Sequence, residues 1–223
     1  MRRLTYLILF SCLIFLQSCF EIIEQVFLKK DGSGDFQLTL NLSQSKTRLN
    51  SIIKMKTING HDVPSKDDIK DKIKDIEKTV AATPGLSNVK TTVDFDSYIA
   101  TLTCNFTKVS QLNAGVKNVY DKGNGKIKGI EKTYEYDAAT NTFTRFNKFS
   151  LKEDYKKMSN ADKEIFATAN YITIYKFESS IATASNTATK ISPSKKATML
   201  KQNALDLVTE KRSVENKITL TKQ

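Results

Sequence analysis

The stretch Glu21-Ile22-Ile23-Glu24-Gln25-Val26-Phe27-Leu28, Lys29-Lys30-Asp31-Gly32-Ser33-Gly34-Asp35, Phe36-Gln37-Leu38-Thr39-Leu40-Asn41-Leu42 decides the reading of the whole chain. Phe36, Leu38, Leu40 and Leu42 alternate with polar residues, the two-residue period of a half-buried strand. The Asp-Gly-Ser-Gly centre supplies residues that tolerate positive φ, as a tight hairpin turn requires. The expectation is therefore two antiparallel strands, the first starting at about residue 20.

Downstream the same reasoning yields further strand pairs separated by helices. Residues 88–95 and 98–109 read as a second hairpin across Asp96-Ser97, with Tyr98, Ala100, Leu102, Cys104 and Phe106 on one face. A third pair, residues 130–137 and 142–149, carries Tyr134, Tyr136, Phe143, Phe146 and Phe149 and is the most aromatic part of the chain. Residues 171–177 form a clear strand, and shorter ones are expected over 197–200 and 214–220. Residues 179–189, rich in Ser, Ala and Thr, fit a strand or a loop equally.

Helical signals lie between these pairs. Ile69, Ile73, Ile76 and Val80 recur every three or four residues, one apolar stripe on a helix. Ser65 stands where its hydroxyl accepts the first free amide hydrogens, and Asp67 and Asp68 lie at the positive end of the dipole. Pro84-Gly85 ends it. Residues 43–57 and 110–120 read as further amphipathic helices, the latter broken by Gly123-Asn124-Gly125, with shorter helical segments over 159–167 and 204–208. Strands separated by helices without strict βαβ alternation predict an α+β fold, an antiparallel hairpin-built sheet with two or three amphipathic helices packed on it.

The extreme N-terminus has a different character. Arg2 and Arg3 precede an apolar run from Leu7 to Leu16, and Leu16-Gln17-Ser18-Cys19 closes it. That order is the charged, apolar and small-residue sequence of a secretory signal. The run is too short for a bilayer core, which takes roughly 20 apolar residues. An ordinary cleaved signal needs small residues at both positions of its cleavage site, and Leu16 is too large for the first.

The closing tetrad resembles the lipobox of bacterial lipoproteins, with Gln17 standing where that family carries a small or branched residue. The resemblance implies cleavage after residue 18, acylation of Cys19 and a mature domain over residues 19–223. It places the domain in the cell envelope, held by lipid and facing the periplasm from the outer membrane. The hairpin with its Lys-Lys-Asp-Gly-Ser-Gly turn, and the tail with Ile191-Ser192-Pro193 and Ile218-Thr219-Leu220, are similar to the LppM-type envelope lipoproteins. That likeness implies an α+β envelope domain with a lipid-like ligand and transfers no catalytic residues.

Charge and cysteines narrow the function classes. The chain of 223 residues has 35 Lys and Arg against 24 Asp and Glu. The lysines are spread along the whole length, without the one-faced concentration or module of a nucleic-acid binder, so no nucleic-acid partner is expected. Anionic lipid headgroups are the more natural counterpart of an anchored basic domain. On the lipobox resemblance Cys12 would leave with the signal and Cys19 would take the lipid, which leaves Cys104 without a disulfide partner, and it reads as a small buried apolar residue.

Catalytic chemistry finds little to use. His61 is the only histidine and sits in an Asn-Gly-His-Asp turn, read as a solvated loop. No nucleophile elbow or P-loop is present, and Asp94 with Asp96 reads as a hairpin edge. The Asp31–Asp35 turn carries two carboxylates, too few for a calcium loop. No metal, cofactor or enzymatic activity is expected. Two binding functions remain. One is a lipid-like or other apolar ligand held between sheet and helices, with Tyr134, Tyr136 and Phe143 as candidate lining. The other is a membrane-tethered protein-interaction or scaffold module with a filled core and an exposed strand edge.

Overall fold

A computed structural model describes residues 20–58, 60–123, 132–148 and 150–221. The signal segment, Cys19, Asn124, Gly125, Ile130 and Phe149 lie outside the described residues. The opening hairpin forms in full register: β1 (Glu21–Leu28) pairs antiparallel with β2 (Gly34–Asn41), from Glu21 opposite Asn41 to Leu28 opposite Gly34. Its turn needs two glycines for different reasons. Gly32 has φ +84°, a left-handed conformation that glycine adopts without steric cost. A Cβ at Gly34 would stand 1.8 Å from the Phe27 carbonyl oxygen and 2.8 Å from the Phe106 ring.

After β2 come α1 (Lys46–Ile52), a small ladder of β3 (Thr57–Ile58) with β4 (His61–Asp62), and α2 (Lys66–Ala81). The α2 N-terminus is closed as its sequence predicts: Ser65 Oγ accepts from Asp68 N at 3.1 Å while Ser65 N donates to Asp68 Oδ2 at 2.9 Å, a capping box. Next are the hairpin of β5 (Leu86–Asp94) and β6 (Ile99–Phe106), α3 (Gln111–Lys122), and the pair β7 (Tyr134–Asp137) and β8 (Thr142–Arg145). The last third adds α4 (Lys152–Lys157), α5 (Asn160–Thr168), β9 (Asn170–Phe177), β10 (Ile181–Ala184), β11 (Lys190–Ile191), β12 (Ala197–Asn203), α6 (Ala204–Val208) and β13 (Asn216–Leu220). Residues 179–189 are thus part strand and part turn.

The fold is α+β, and its strands divide between two principal sheets. Seven strands run in the order β11-β12-β9-β1-β2-β6-β5, and four in the order β10-β13-β8-β7. Among the described residues all strand pairs are antiparallel except β1 with β9, which run parallel from Glu21 beside Asn170 to Leu28 beside Phe177. Local periodicity identifies hairpins but carries no information on which sheet each joins, so the partition and the parallel pair go beyond the expected arrangement.

The aromatic residues show how the sheets meet. Phe143 of β8 lies edge-on to Tyr175 and Phe177 of β9, centroids 5.0 and 5.7 Å apart, and Phe36 of β2 meets Tyr134 of β7 at 6.3 Å. Phe143, Tyr175 and Ile218 are fully buried, each such apolar side chain contributing about 1.5–3 kcal/mol. The core is a two-sheet sandwich at one end of the large sheet. At the other end, α1 and α2 replace the small sheet.

Candidate functional site

The change of cover along the large sheet creates the site. β2 sends Phe36, Leu38 and Leu40 to the same face, because residues two apart in a strand share a side. Phe36 is under the small sheet and 8% exposed, whereas Leu38 and Leu40 are 36% and 37% exposed. Their cross-strand partners Leu102 and Ala100 of β6, and behind these Thr91 and Val93 of β5, extend that floor. β2 and β6 thus continue one apolar face beyond the point where the second sheet stops covering it.

Two helical segments wall the uncovered floor. α2 presents Ile69, Ile73 and Ile76, and α1 with its following turn presents Leu49, Ile52 and Ile53. Between them is an open groove of about 540 Å³, inside the range of small-molecule sites. Its few polar groups include Lys72 and Asp94. Of the α2 stripe, Val80 is buried, while Ile76 remains 37% exposed. The stripe is fully covered at Val80 and only partly covered over Ile69, Ile73 and Ile76.

Hydrogen bonds hold the walls at this spacing. Glu77 of α2 accepts from Thr91 N at 2.7 Å and Thr91 Oγ1 at 2.5 Å, which ties the helix to the outer strand. These bonds, the side-chain one foremost, hold its carboxyl below the ordinary carboxylate range. Tyr98 donates to Asn50 Oδ1 at 2.6 Å, which ties the β5–β6 turn to α1. On the far side of α2, Asn118 of α3 donates to Thr83 Oγ1 at 3.1 Å. Lys66 and Lys70 lie over the Phe95 ring at 5.2 and 5.9 Å. The groove is therefore a braced opening in the fold.

The three aromatic candidates lie elsewhere. Tyr134 is 2% exposed and Phe143 fully buried, both packed within the sandwich. Tyr136 is half-buried and donates to Asn141 Oδ1 at 2.7 Å. None of them lines the groove, and the structure does not bring them together with it. Cys19 lies outside the described residues. Cys104 is buried on the inner face of β6, and burial pushes its thiol up to about 11, away from the nucleophilic thiolate.

The remaining candidates settle into structural roles. Asp94 accepts from Ser97 Oγ at 2.5 Å and Asp96 N at 2.7 Å, which closes the β5–β6 turn. Asp31 likewise accepts from Ser33 Oγ and N. His61 is exposed, with Nε2 3.5 Å from Asp162 Oδ2. Among the described residues no three His, Cys, Asp or Glu side chains gather as metal ligands, and no helix is long and apolar enough to cross a membrane.

A second polar cluster is buried in the sandwich itself. Glu24 of β1 shares the inward face with Val26 and Leu28 and is 2% exposed. It accepts from Arg145 of β8 and from the hydroxyls of Tyr171 and Tyr175 of β9. Burial alone raises a carboxyl's pKa, yet the Arg145 charge and these hydrogen bonds together hold Glu24 below its ordinary value. Among the described residues no buried side-chain nitrogen or oxygen lacks a hydrogen-bond partner, so the cluster joins strands. Its one sequence signal was that Glu24 stands two residues before Val26, on the buried parity.

No family model matches the sequence, and no curated protein is similar to it at a significant level. Among solved structures the chain is similar to the folded domain of the Mycobacterium tuberculosis LppM protein, determined by NMR, at 8% identity and a TM-score of 0.46 over 94% of each chain.

Proposed function

We propose that the protein is a non-enzymatic, lipid-anchored lipoprotein of the bacterial cell envelope whose domain holds an acyl chain or similar elongated apolar ligand in the groove. The supporting observation is the groove itself: aliphatic floor and walls, about 540 Å³, left open in a fold whose sandwich end is filled with aromatics. Exposed aliphatic surface of this kind is costly in water unless something covers it. A single hydrocarbon chain covers it without needing fixed hydrogen-bond partners, and the near absence of polar groups from the lining suits that chemistry.

The test is titration with N-phenyl-1-naphthylamine, a neutral apolar fluorophore. Saturable fluorescence enhancement is expected, lost in Ala100→Trp, which fills the floor. No enhancement, or enhancement unchanged in the variant, would turn the reading to the alternative, a membrane-tethered module that receives a partner protein. The anchor is tested separately by intact mass of the membrane fraction. Acyl mass on a chain starting at Cys19, absent with membrane residence in Cys19→Ala, is the expected result.

A further inference from the structure

The register shows where the groove lies relative to the N-terminus. Glu21 pairs with Asn41, Asn41 with Ile99, and Ile99 with Asp94. Leu40, Leu42, Ile99 and Asp94 all line the groove. β1 therefore begins at the groove's end of the large sheet, and in sequence Cys19 stands two positions before Glu21.

One wall of the groove at that end is basic. Between Asp35 and Asp62 the sequence has no acidic residue, and residues 46–56 carry Lys46, Arg48, Lys54 and Lys56. All four are exposed. Met55 is 50% exposed among them, while Leu49, Ile52 and Ile53 of the same segment face the groove. The opposite wall contributes no such excess: over residues 66–78, five lysines stand against five acids. Asp94, close enough to Lys46 to feel its charge, is the carboxylate among the lining residues.

We propose that residues 46–56 form a docking edge for an anionic bilayer surface, which seats the groove mouth on the membrane that supplies its ligand. The supply of ligand rests on the reading of the groove given above; the docking surface stands on charge and geometry. Four cations beside an exposed Met present what an anionic headgroup layer attracts, and juxtamembrane basic clusters bind such layers by summed electrostatics. An anchor at Cys19 brings this edge to the bilayer rather than the far, sandwich end. A groove opening there receives an acyl chain directly from the lipid phase, without carrying it through water.

The experiment uses residues 19–223 with Cys19→Ala, so that no acyl group contributes to binding. Sedimentation is compared with vesicles of phosphatidylcholine alone and vesicles containing phosphatidylglycerol. The expected result is binding to the anionic vesicles only, weakened by salt, and reduced on the order of a hundredfold or more in the variant Lys46→Glu, Arg48→Glu, Lys54→Glu, Lys56→Glu. That variant should still enhance N-phenyl-1-naphthylamine fluorescence, which shows the fold and groove intact. Ala100→Trp should lose the dye and keep the vesicles. Equal sedimentation of the charge-reversed variant, or no preference for anionic vesicles, overturns the docking edge. Loss of dye binding in the unsubstituted groove overturns the ligand reading instead.

Discussion

Arg145 lies flat against Glu24 across the interface of the two sheets, Nε 3.0 Å from Oε1 and Nη2 3.1 Å from Oε2, with both side chains almost wholly buried. The guanidinium also stacks over Tyr134, 5.2 Å from the ring centroid, and donates to the Phe146 carbonyl. The pair connects the central strand of the large sheet to the small sheet through charge-assisted hydrogen bonds, which are short and geometrically specific.

Removing one partner leaves the other charge buried and unmatched. Arg145→Met and Glu24→Gln are each expected to cost about 3–5 kcal/mol in urea unfolding, the latter because the buried guanidinium cannot shed its charge. The double variant should cost less than the sum of the two. Strict additivity of the two single effects would show that the pair is not coupled.

The same pair sets the acid limb of stability. The folded Glu24 carboxyl titrates below its unfolded value, because Arg145 and the tyrosine hydroxyls outweigh the effect of burial. Its contribution is fully present above the unfolded carboxyl pKa of about 4.3 and is lost as pH falls through the depressed folded value. On the alkaline side burial raises the Tyr171 and Tyr175 hydroxyls. Unfolding then releases protons above pH about 10, and stability falls as pH rises there. Thermal midpoints against pH should show both limbs, with the acid limb flattened in Glu24→Gln; an unchanged limb would exclude this carboxyl as its source.

Gly34→Ala should be among the most damaging small substitutions, because the added methyl meets the Phe27 carbonyl and the Phe106 ring at once. A loss of more than about 2 kcal/mol is expected, in the range of overpacked sites. Urea unfolding of the variant at native stability would mean that the hairpin shifts without strain.

The two ends of the large sheet should respond oppositely to substitution. Phe143→Ala removes a fully buried ring and is expected to cost about 3–5 kcal/mol. Leu38→Ser and Leu40→Ser, on the open floor, should each cost below about 1 kcal/mol because the leucines are already partly hydrated. They should instead weaken apolar-dye binding. A large stability loss from either leucine change would show that the groove closes over its floor in solution.

The hairpins and the α2 cap were legible because their causes are local. Alternation over residues 36–42, the Asp-Gly-Ser-Gly turn and Ser65 ahead of Asp67 and Asp68 each act within a few residues. The groove was not legible, since Leu38, Leu40 and Ile76 carry the same periodic signal whether a neighbour covers them or stands off. Tyr134 and Phe143 illustrate the reverse: aromatic enrichment marked the filled core and not the opening. The Glu24 contact with Arg145 spans 121 positions, beyond any window of periodicity.

The parallel pairing of β1 with β9 has a consequence for how the molecule is assembled. β1 is the fourth of seven strands in the large sheet, yet its parallel neighbour begins at Asn170. β1 thus waits for roughly three quarters of the 223 residues before both its edges are paired. Contacts of such long sequence separation slow folding toward the millisecond-to-second range. During that interval the Ile22, Val26 and Leu28 face is open to wrong partners, so the folding chain depends on protection of that face until residues 170–177 arrive.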